Sequence, residues 1–297
     1  MAPSSSQRIR VGFIGLGIMG KPMAGNVLKA GFPLIVYSRS PGPVEDLVKA
    51  GASAARDPAE VGSQSDVVII MIPGTADVDV LLSGPRGLLT EARRGLTIVD
   101  MGTHDPSAVA AWVEQCIRAG ADFLDAPVSG GQVGAIEGTL SIMVGGTASA
   151  LSRASDVLAA MGSRIVHIGD SGAGMVAKAC NQLVVGSAIQ AVAEALALAR
   201  AAGVDPAKVR DALLGGFAAS RVLEVHGLRM LERNFTPGAR VSIHDKDARI
   251  VMETARRLDV GLPGFSPVAE AFAQLMTRGD ADLDHSALIT LVDEGWR

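Results

Sequence analysis

The sequence predicts a chain of two domains, an α/β domain over residues 1–170 followed by an all-α domain over residues 171–297. Two observations predict it. From residue 8 to about 168, short apolar runs alternate with amphipathic stretches, the pattern of repeated βαβ units. Beyond Gly172 no further strand-like run stands out, and helical patterns punctuated by Gly and Pro take over. The length of 297 residues suits two units of ordinary size.

The strand candidates are Arg10–Ile14, Leu34–Tyr37, Val67–Ile72, Thr97–Asp100, Phe123–Ala126, Ser141–Gly145 and Arg164–His167. Val and Ile dominate them, as expected of parallel strands buried on both faces. Helical patterns over 19–30, 43–50, 77–82, 106–119 and 148–161 fill the gaps. The longest, Gly174–Ala202, is rich in Ala, Val and Leu all round, so much of its surface should be buried. Gly203 follows as a C′ residue, and Asp205–Pro206 opens the next helix with an N-cap and Pro at N1.

Composition excludes several classes. Hydrophobic residues at 48% are enough to build cores, which excludes a disordered chain, and aromatics at 3% leave those cores to Ala, Val, Ile and Leu. The net charge of −4 is spread along the chain and offers no basic face for nucleic acid. Cys116 and Cys180 lie far apart, with no disulfide framework or metal-ligand spacing, as expected in a reducing compartment. The histidines (His104, His167, His226, His244 and His285) are scattered and no metal is expected. The lead-in Met1–Arg10 has neither the length of a transit peptide nor an apolar signal core. The apolar run 183–199 carries Gln190 and Glu194 and is too short to cross a bilayer. A cytoplasmic protein with no membrane partner is expected.

The first strand runs into Gly15-Leu16-Gly17-Ile18-Met19-Gly20, a G-x-G-x-x-G segment that opens a helix. Gly15 makes the tight turn, Gly17 lets backbone approach a pyrophosphate, and Gly20 lets the helix pack on the strand. The strand–turn–helix context lifts the motif above a chance glycine turn and predicts a Rossmann-type dinucleotide site. At the end of the second strand an NAD enzyme carries Asp or Glu for the ribose hydroxyls. Here the chain reads Ser38-Arg39-Ser40. Arg39 can pair with a 2′-phosphate and the serines can donate to it, so NADPH is the expected cofactor, with NAD possible.

Further segments fall where a βα sheet places its carboxyl-end loops: Met71-Ile72-Pro73, Asp100–Thr103, Asp125–Gly131 and Gly172–Lys178. An active site is expected at those ends, in a cleft between the domains. Ser129-Gly130-Gly131 reads either as a nest for a carboxylate or as a glycine turn. Lys178, on the long apolar helix, is either a snorkelling lysine or a functional ammonium whose pKa desolvation would lower. Gln182 lies one turn on, and Asn181 is also within reach of the ammonium or substrate. Phe217, Ser220 and Arg221 sit in a Gly-rich segment that is either a substrate-shaping loop or a plain helix–helix connection.

Together, GFIGLGIMGKPMAGNVLKAG, DAPVSGG, GTLSIMVGG, GAGMVAKACNQ and IHDKDA resemble the β-hydroxyacid dehydrogenase (3-hydroxyisobutyrate dehydrogenase-like) family across essentially the whole chain. KACNQ, GGFAASRVLEVHG, RNFTPG and DHSAL are most similar to its tartronate semialdehyde reductase branch. The resemblance implies an NAD(P)-dependent oxidoreductase that reduces a small 3-oxo acid, and a homodimer or homotetramer. It implies Lys178 as the catalytic lysine and Ser129, Gly130 and Gly131 as the substrate-carboxylate loop. Met71, Ile72 and Pro73 match the cofactor-contacting turn, Thr103 the residue beside the nicotinamide ribose, and Lys246 a lysine that reaches the cofactor, with Asp247 beside it. Many relatives carry Asn where this chain has Gln182, which reads as a marker of the branch. Sibling substrates (succinic semialdehyde, glyoxylate, 3-hydroxyisobutyrate, threonate) and a non-catalytic NADP-binding scaffold are the competing readings.

Overall fold

The computed structural model describes residues 9–296; residues 1–8 of the lead-in, on which the expectation of no targeting segment rests, lie outside them. Contacts divide the chain into compact units after Lys178.

The first unit runs β1 (Val11–Ile14), α1 (Gly20–Lys29), β2 (Leu34–Tyr37), α2 (Pro41–Lys49), β3 (Ser53–Ala54), α3 (Pro58–Gln64), β4 (Val67–Ile70), α4 (Thr75–Ser83), β5 (Thr97–Asp100), α5 (Pro106–Arg118), β6 (Asp122–Asp125), β7 (Val128–Ser129), α6 (Gly131–Glu137), β8 (Leu140–Gly145), α7 (Ala148–Ala159) and β9 (Gly162–Gly169). The strands form one sheet in the order β3-β2-β1-β4-β5-β6-β8-β7, with β9 also on β8. From β3 to β6 every pairing is parallel. The order reverses between β1 and β4, the place where a doubly wound sheet opens a binding crevice at its strand ends. Alternation puts Val67 and Ile69 on one face, with Met23, Val27 and Val157. It puts Val68 and Ile70 on the other, with Leu82, Trp112 and Cys116.

Part of the sheet departs from the all-parallel expectation. β8 pairs antiparallel with β6 and β7, and β9 returns parallel to β8. β9 is largely exposed rather than buried on both faces. β3 and β7, at two residues each, are too short to show a period. α3 and α6 also escape a reading by apolar pattern. A local signal does mark α3: Asp57 accepts from the Glu60 N–H at 2.9 Å, and Pro58 follows the cap.

α8 (Ala173–Ala201) begins in the first unit and continues into the second. There it is followed by α9 (Pro206–Leu214), α10 (Arg221–Glu232), α11 (Val241–Arg257), α12 (Ser266–Arg278), a 3-10 turn over His285–Leu288 and α13 (Ile289–Val292). Asp205 caps α9 by accepting from the Ala207 N–H at 2.9 Å, as its Asp-Pro start predicts. At 29 residues and a mean hydropathy of 1.5, α8 is long and apolar enough to cross a membrane by length and composition, which the run 183–199 alone was not. Its Ile189, Ala193 and Leu196 instead pack with Leu223, Val251, Phe265 and Phe272 in the core of the helical unit.

Candidate active site

The glycine loop after β1 has the geometry its spacing calls for. Gly15 has φ +93, and its N–H donates to the Tyr37 carbonyl at 3.0 Å. A Cβ on Gly20 would run into the Gly15 carbonyl, whereas one on Gly17 would meet nothing within 4 Å. Met19 occupies the N-cap of α1 without a side-chain hydrogen bond, and the first turn carries no acidic residue. The leading N–H groups are thus left for an anion, and open space lies in front of Gly17; both fit a dinucleotide pyrophosphate. Of the non-glycine members, Leu16 is buried in the core and Ile18 is exposed.

The neighbouring strand ends are brought beside this loop. The Met71 N–H donates to the Ile14 carbonyl at 2.8 Å, and Ile72 abuts Gly15. The Met101 N–H donates to the Ile70 carbonyl at 2.8 Å, and Gly102 packs against the Ile72 carbonyl. Thr103 is half-buried and Pro73 exposed. His104, passed over at the sequence level, is fully buried between these turns. Its ring lies 3.4 Å from the Asp100 carboxylate and 3.4 Å from the Thr75 hydroxyl. After β2, Ser38 accepts from the Ser40 N–H at 3.4 Å. Arg39 is exposed, 3.7 Å from Asp77.

On the other side of the switch, Pro127 and Val128 lead from β6 to Ser129-Gly130-Gly131. Gly130 (φ +135) and Gly131 (φ +61) hold backbone conformations that L side chains rarely adopt, and Gly131 faces open space. Lys178 is only 7% exposed, which is not the posture of a snorkelling lysine, and its Nζ donates to the Val128 carbonyl at 2.8 Å. The ammonium is therefore held one residue before the Ser129 loop. Asp125, at the end of β6, accepts from the Gly172 N–H at 2.7 Å and from the Met175 N–H at 2.9 Å. Burial raises its pKa to about 6 against the pull of those amides, and Asp100 adds to the rise. Asp125 stands in the DAPVSGG segment without an expected role; an acidic residue ending a buried Phe-Leu run is the signal that marks it in the sequence.

In the helical unit, Asn181 donates to the Gln182 amide oxygen at 2.8 Å, and Gln182 Nε2 donates to Asp247 at 2.6 Å. Both ends of the Gln182 amide thus have partners on the unit's own residues. Lys246 lies 3.0 Å from the other Asp247 oxygen.

Three of the five histidines, His226, His244 and His285, come together in space, which corrects the expectation that all five are scattered. His244 Nδ1 lies 3.0 Å from His285 Nδ1, and His285 Nε2 lies 3.1 Å from His226 Nε2. His226, Asp284 and His285 place ligand-capable atoms within 4.8 Å of one another. The Asp284 carboxylate, however, already accepts from Ser286 and from the Gly238 and Ala239 N–H groups, and Arg229 lies 3.3 Å away. The Arg229 guanidinium thus already pairs with the Asp284 carboxylate, and the rings add hydrogen bonds to one another in the same cluster.

Comparison with known proteins agrees with this geometry. Residues 10–169 match the family profile for the NAD-binding domain of 6-phosphogluconate dehydrogenase, and residues 172–292 match that for the NAD-binding domain of NADP-dependent 3-hydroxyisobutyrate dehydrogenase. The chain is 43% identical over 286 residues to 2-hydroxy-3-oxopropionate reductase of Escherichia coli, covering 96% of this chain and 97% of that protein. It is 35% identical to an NAD-dependent L-serine dehydrogenase of Pseudomonas aeruginosa, over 96% of this chain and 98% of that one. Among solved structures, 3-hydroxyisobutyrate dehydrogenase from Salmonella typhimurium superposes with a TM-score of 0.87 at 30% identity, over 95% of this chain and 99% of that one. This chain belongs to the 3-hydroxyisobutyrate dehydrogenase-like family of NAD(P)-dependent oxidoreductases that act on hydroxyl groups, and within it is similar to the tartronate semialdehyde (2-hydroxy-3-oxopropionate) reductases.

Proposed function

We propose that this protein is a soluble, cytoplasmic NADPH-dependent reductase that converts tartronate semialdehyde to glycerate, with Lys178 as proton donor. The observation that carries the reading is the buried Lys178 ammonium, 2.8 Å from the Val128 carbonyl and directly ahead of the Ser129-Gly130-Gly131 loop. The name of the 43% identical relative supports the choice of substrate.

A bound nicotinamide would supply the hydride for the aldehyde carbon. Ser129 and the Gly130 and Gly131 N–H groups hold the substrate carboxylate, which fixes the aldehyde carbon for attack; orientation of this kind supplies several kcal/mol. As the carbonyl π pair moves onto oxygen, Lys178 Nζ gives up a proton to the developing alkoxide, becomes neutral, and is reprotonated from solvent. In the oxidative direction the neutral amine takes the hydroxyl proton. Gly15, Gly17 and Gly20 seat the pyrophosphate; Asn181, Gln182, Thr103 and Lys246 take the roles that the family resemblance gives them.

A steady-state comparison tests the substrate. Tartronate semialdehyde is expected to exceed succinic semialdehyde and glyoxylate in kcat/KM by at least about tenfold, the discrimination that one lost polar contact provides. Equal or better turnover of a sibling, or oxidation of L-serine as the faster reaction, would replace the assignment. Tight NADPH binding with no turnover of any of these would mark a scaffold.

The cofactor preference rests on Arg39, which is exposed and only loosely paired with Asp77. Arg39→Ala is expected to weaken NADPH binding about 10- to 100-fold, the worth of a charge-assisted contact, and to leave NADH binding within about twofold. Fluorescence titration of both cofactors reads this; equal losses for the two would remove Arg39 from 2′-phosphate recognition.

A further inference from the structure

The first turn of α8 lacks the cap its length would lead one to expect. Gly172, just before the helix, has φ +93 and no side chain, and no acidic residue follows in the first turn. The missing acceptor comes from another element. Asp125 is fully buried and separated from Gly172 by 47 residues; one of its carboxylate oxygens takes the Gly172 N–H and the other takes the Met175 N–H. A negative group at a helix start is favoured by the helix dipole as well as by the hydrogen bonds. The backbone is closed in around it: a Cβ on Gly145 would lie 2.5 Å from the carboxylate, and one on Gly174 would press on the Asp125 carbonyl.

A second strut joins the same two segments. Three residues beyond Met175 on the helix, Lys178 reaches back to the carbonyl of Val128, three residues beyond Asp125 on the strand side. Two attachments fix both the position and the rotation of a helix start, where a single one would leave it free to pivot.

We infer that Asp125 is the positioning residue for Lys178: its carboxylate clamps the first turn of α8 and so holds the ammonium at the Val128 carbonyl, at the entrance to the Ser129 loop. The inference rests on the reading of Lys178 as proton donor, and it concerns what places that donor. The charged group acting on Asp125 is Asp100 on β5. Asp100 disfavours the ionised clamp, and burial does so more strongly. Acidification toward pH 6 therefore loosens the clamp within a range that kinetics can reach.

Asp125→Asn tests it. Asparagine offers one acceptor oxygen, and its NH2 group faces an N–H donor, so one of the two amides loses its partner. In the variant, kcat is expected to fall about tenfold or more at pH 8, KM for the oxo acid to change less, and NADPH affinity to stay within about twofold. An acid limb in kcat near pH 6 in the wild-type enzyme should be missing from the variant. Hydrogen exchange at Gly172 and Met175, corrected for intrinsic rate, should be faster in the variant and in wild type at pH 5 than in wild type at pH 8. If the variant does not fold, the wild-type exchange series alone decides the matter. Unchanged exchange at both amides overturns the inference, even if Lys178→Ala is inactive and the proton-donor reading stands. Near-normal turnover of Lys178→Ala removes the donor role, and with it the catalytic meaning of the clamp, even if exchange responds as expected.

Discussion

Lys178→Ala should lose about 10²- to 10⁴-fold in kcat, the usual worth of a positioned general acid, while NADPH binds within about twofold of wild type. The reason lies in where the ammonium is held. A lysine 7% exposed is kept charged at a cost, and its bond to the Val128 carbonyl offsets part of that cost. A neutral carbonyl holds the ammonium in place and leaves it able to pass its proton on. Alanine would also leave that buried carbonyl without its donor, so some loss of stability accompanies the loss of turnover. Lys178→Arg separates the two effects. Arginine can restore a donor to Val128 and the positive charge, yet its proton is too tightly bound to be exchanged near neutrality. Its stability should approach wild type while turnover remains within about tenfold of Lys178→Ala. Either variant turning over at a near-normal rate would sink the assignment.

What could be read in advance and what could not divides by sequence distance. The glycine loop is local: three glycines within six residues, after a Val-Gly-Phe-Ile strand and before a helix, determine both its geometry and its ligand class. The end of β2 is equally local, which is why Ser38-Arg39-Ser40 could be weighed against the carboxylate of an NAD site. Lys178 was visible as a charge in an apolar helix, but its partner was not, because Val128 stands 50 residues away. The partners of Asp125 were hidden for the same reason, since helix caps are ordinarily sought next to the helix they cap. The antiparallel placement of β8 escaped as well; an apolar run states that a strand is buried and says nothing of its direction. His226, His244 and His285 show the same limit most clearly. They stand on α10, on α11 and in the 3-10 turn, and only tertiary packing brings their rings together.

That histidine cluster should make the helical unit acid-labile well above the pH at which carboxylates titrate. His285 is buried, with one ring nitrogen facing His244 and the other facing His226. Burial, and then the repulsion of the two neighbouring rings, hold its pKa well below the ordinary value of about 6.5. The unfolded chain then binds a proton that the folded chain refuses, so stability is complete above about pH 6.5 and falls as pH drops below it, by up to about 1.4 kcal/mol per unit. Asp284 acts later. Burial works against its ionised form, but the His226 ring 3.7 Å away and the bonds from Ser286 outweigh it, so its contribution is lost only in much stronger acid. Asp125, in the first unit, has the opposite sign: its raised pKa favours the folded state as pH falls toward 4. A global melting curve would blend these, so the measurement has to be local. Hydrogen exchange over Arg221–Glu232 and Val241–Arg257 should show protection falling between pH 7 and pH 5 after correction for intrinsic rate. His285→Ala removes a ring partner from both His226 and His244 and leaves a void, which should cost on the order of 3 kcal/mol at pH 7. The same variant should also flatten the pH dependence, because the proton refused by His285 is no longer there to refuse. Equal protection at the two pH values in wild type would mean that the cluster takes up its proton without strain, and that His285 is not held neutral by its burial.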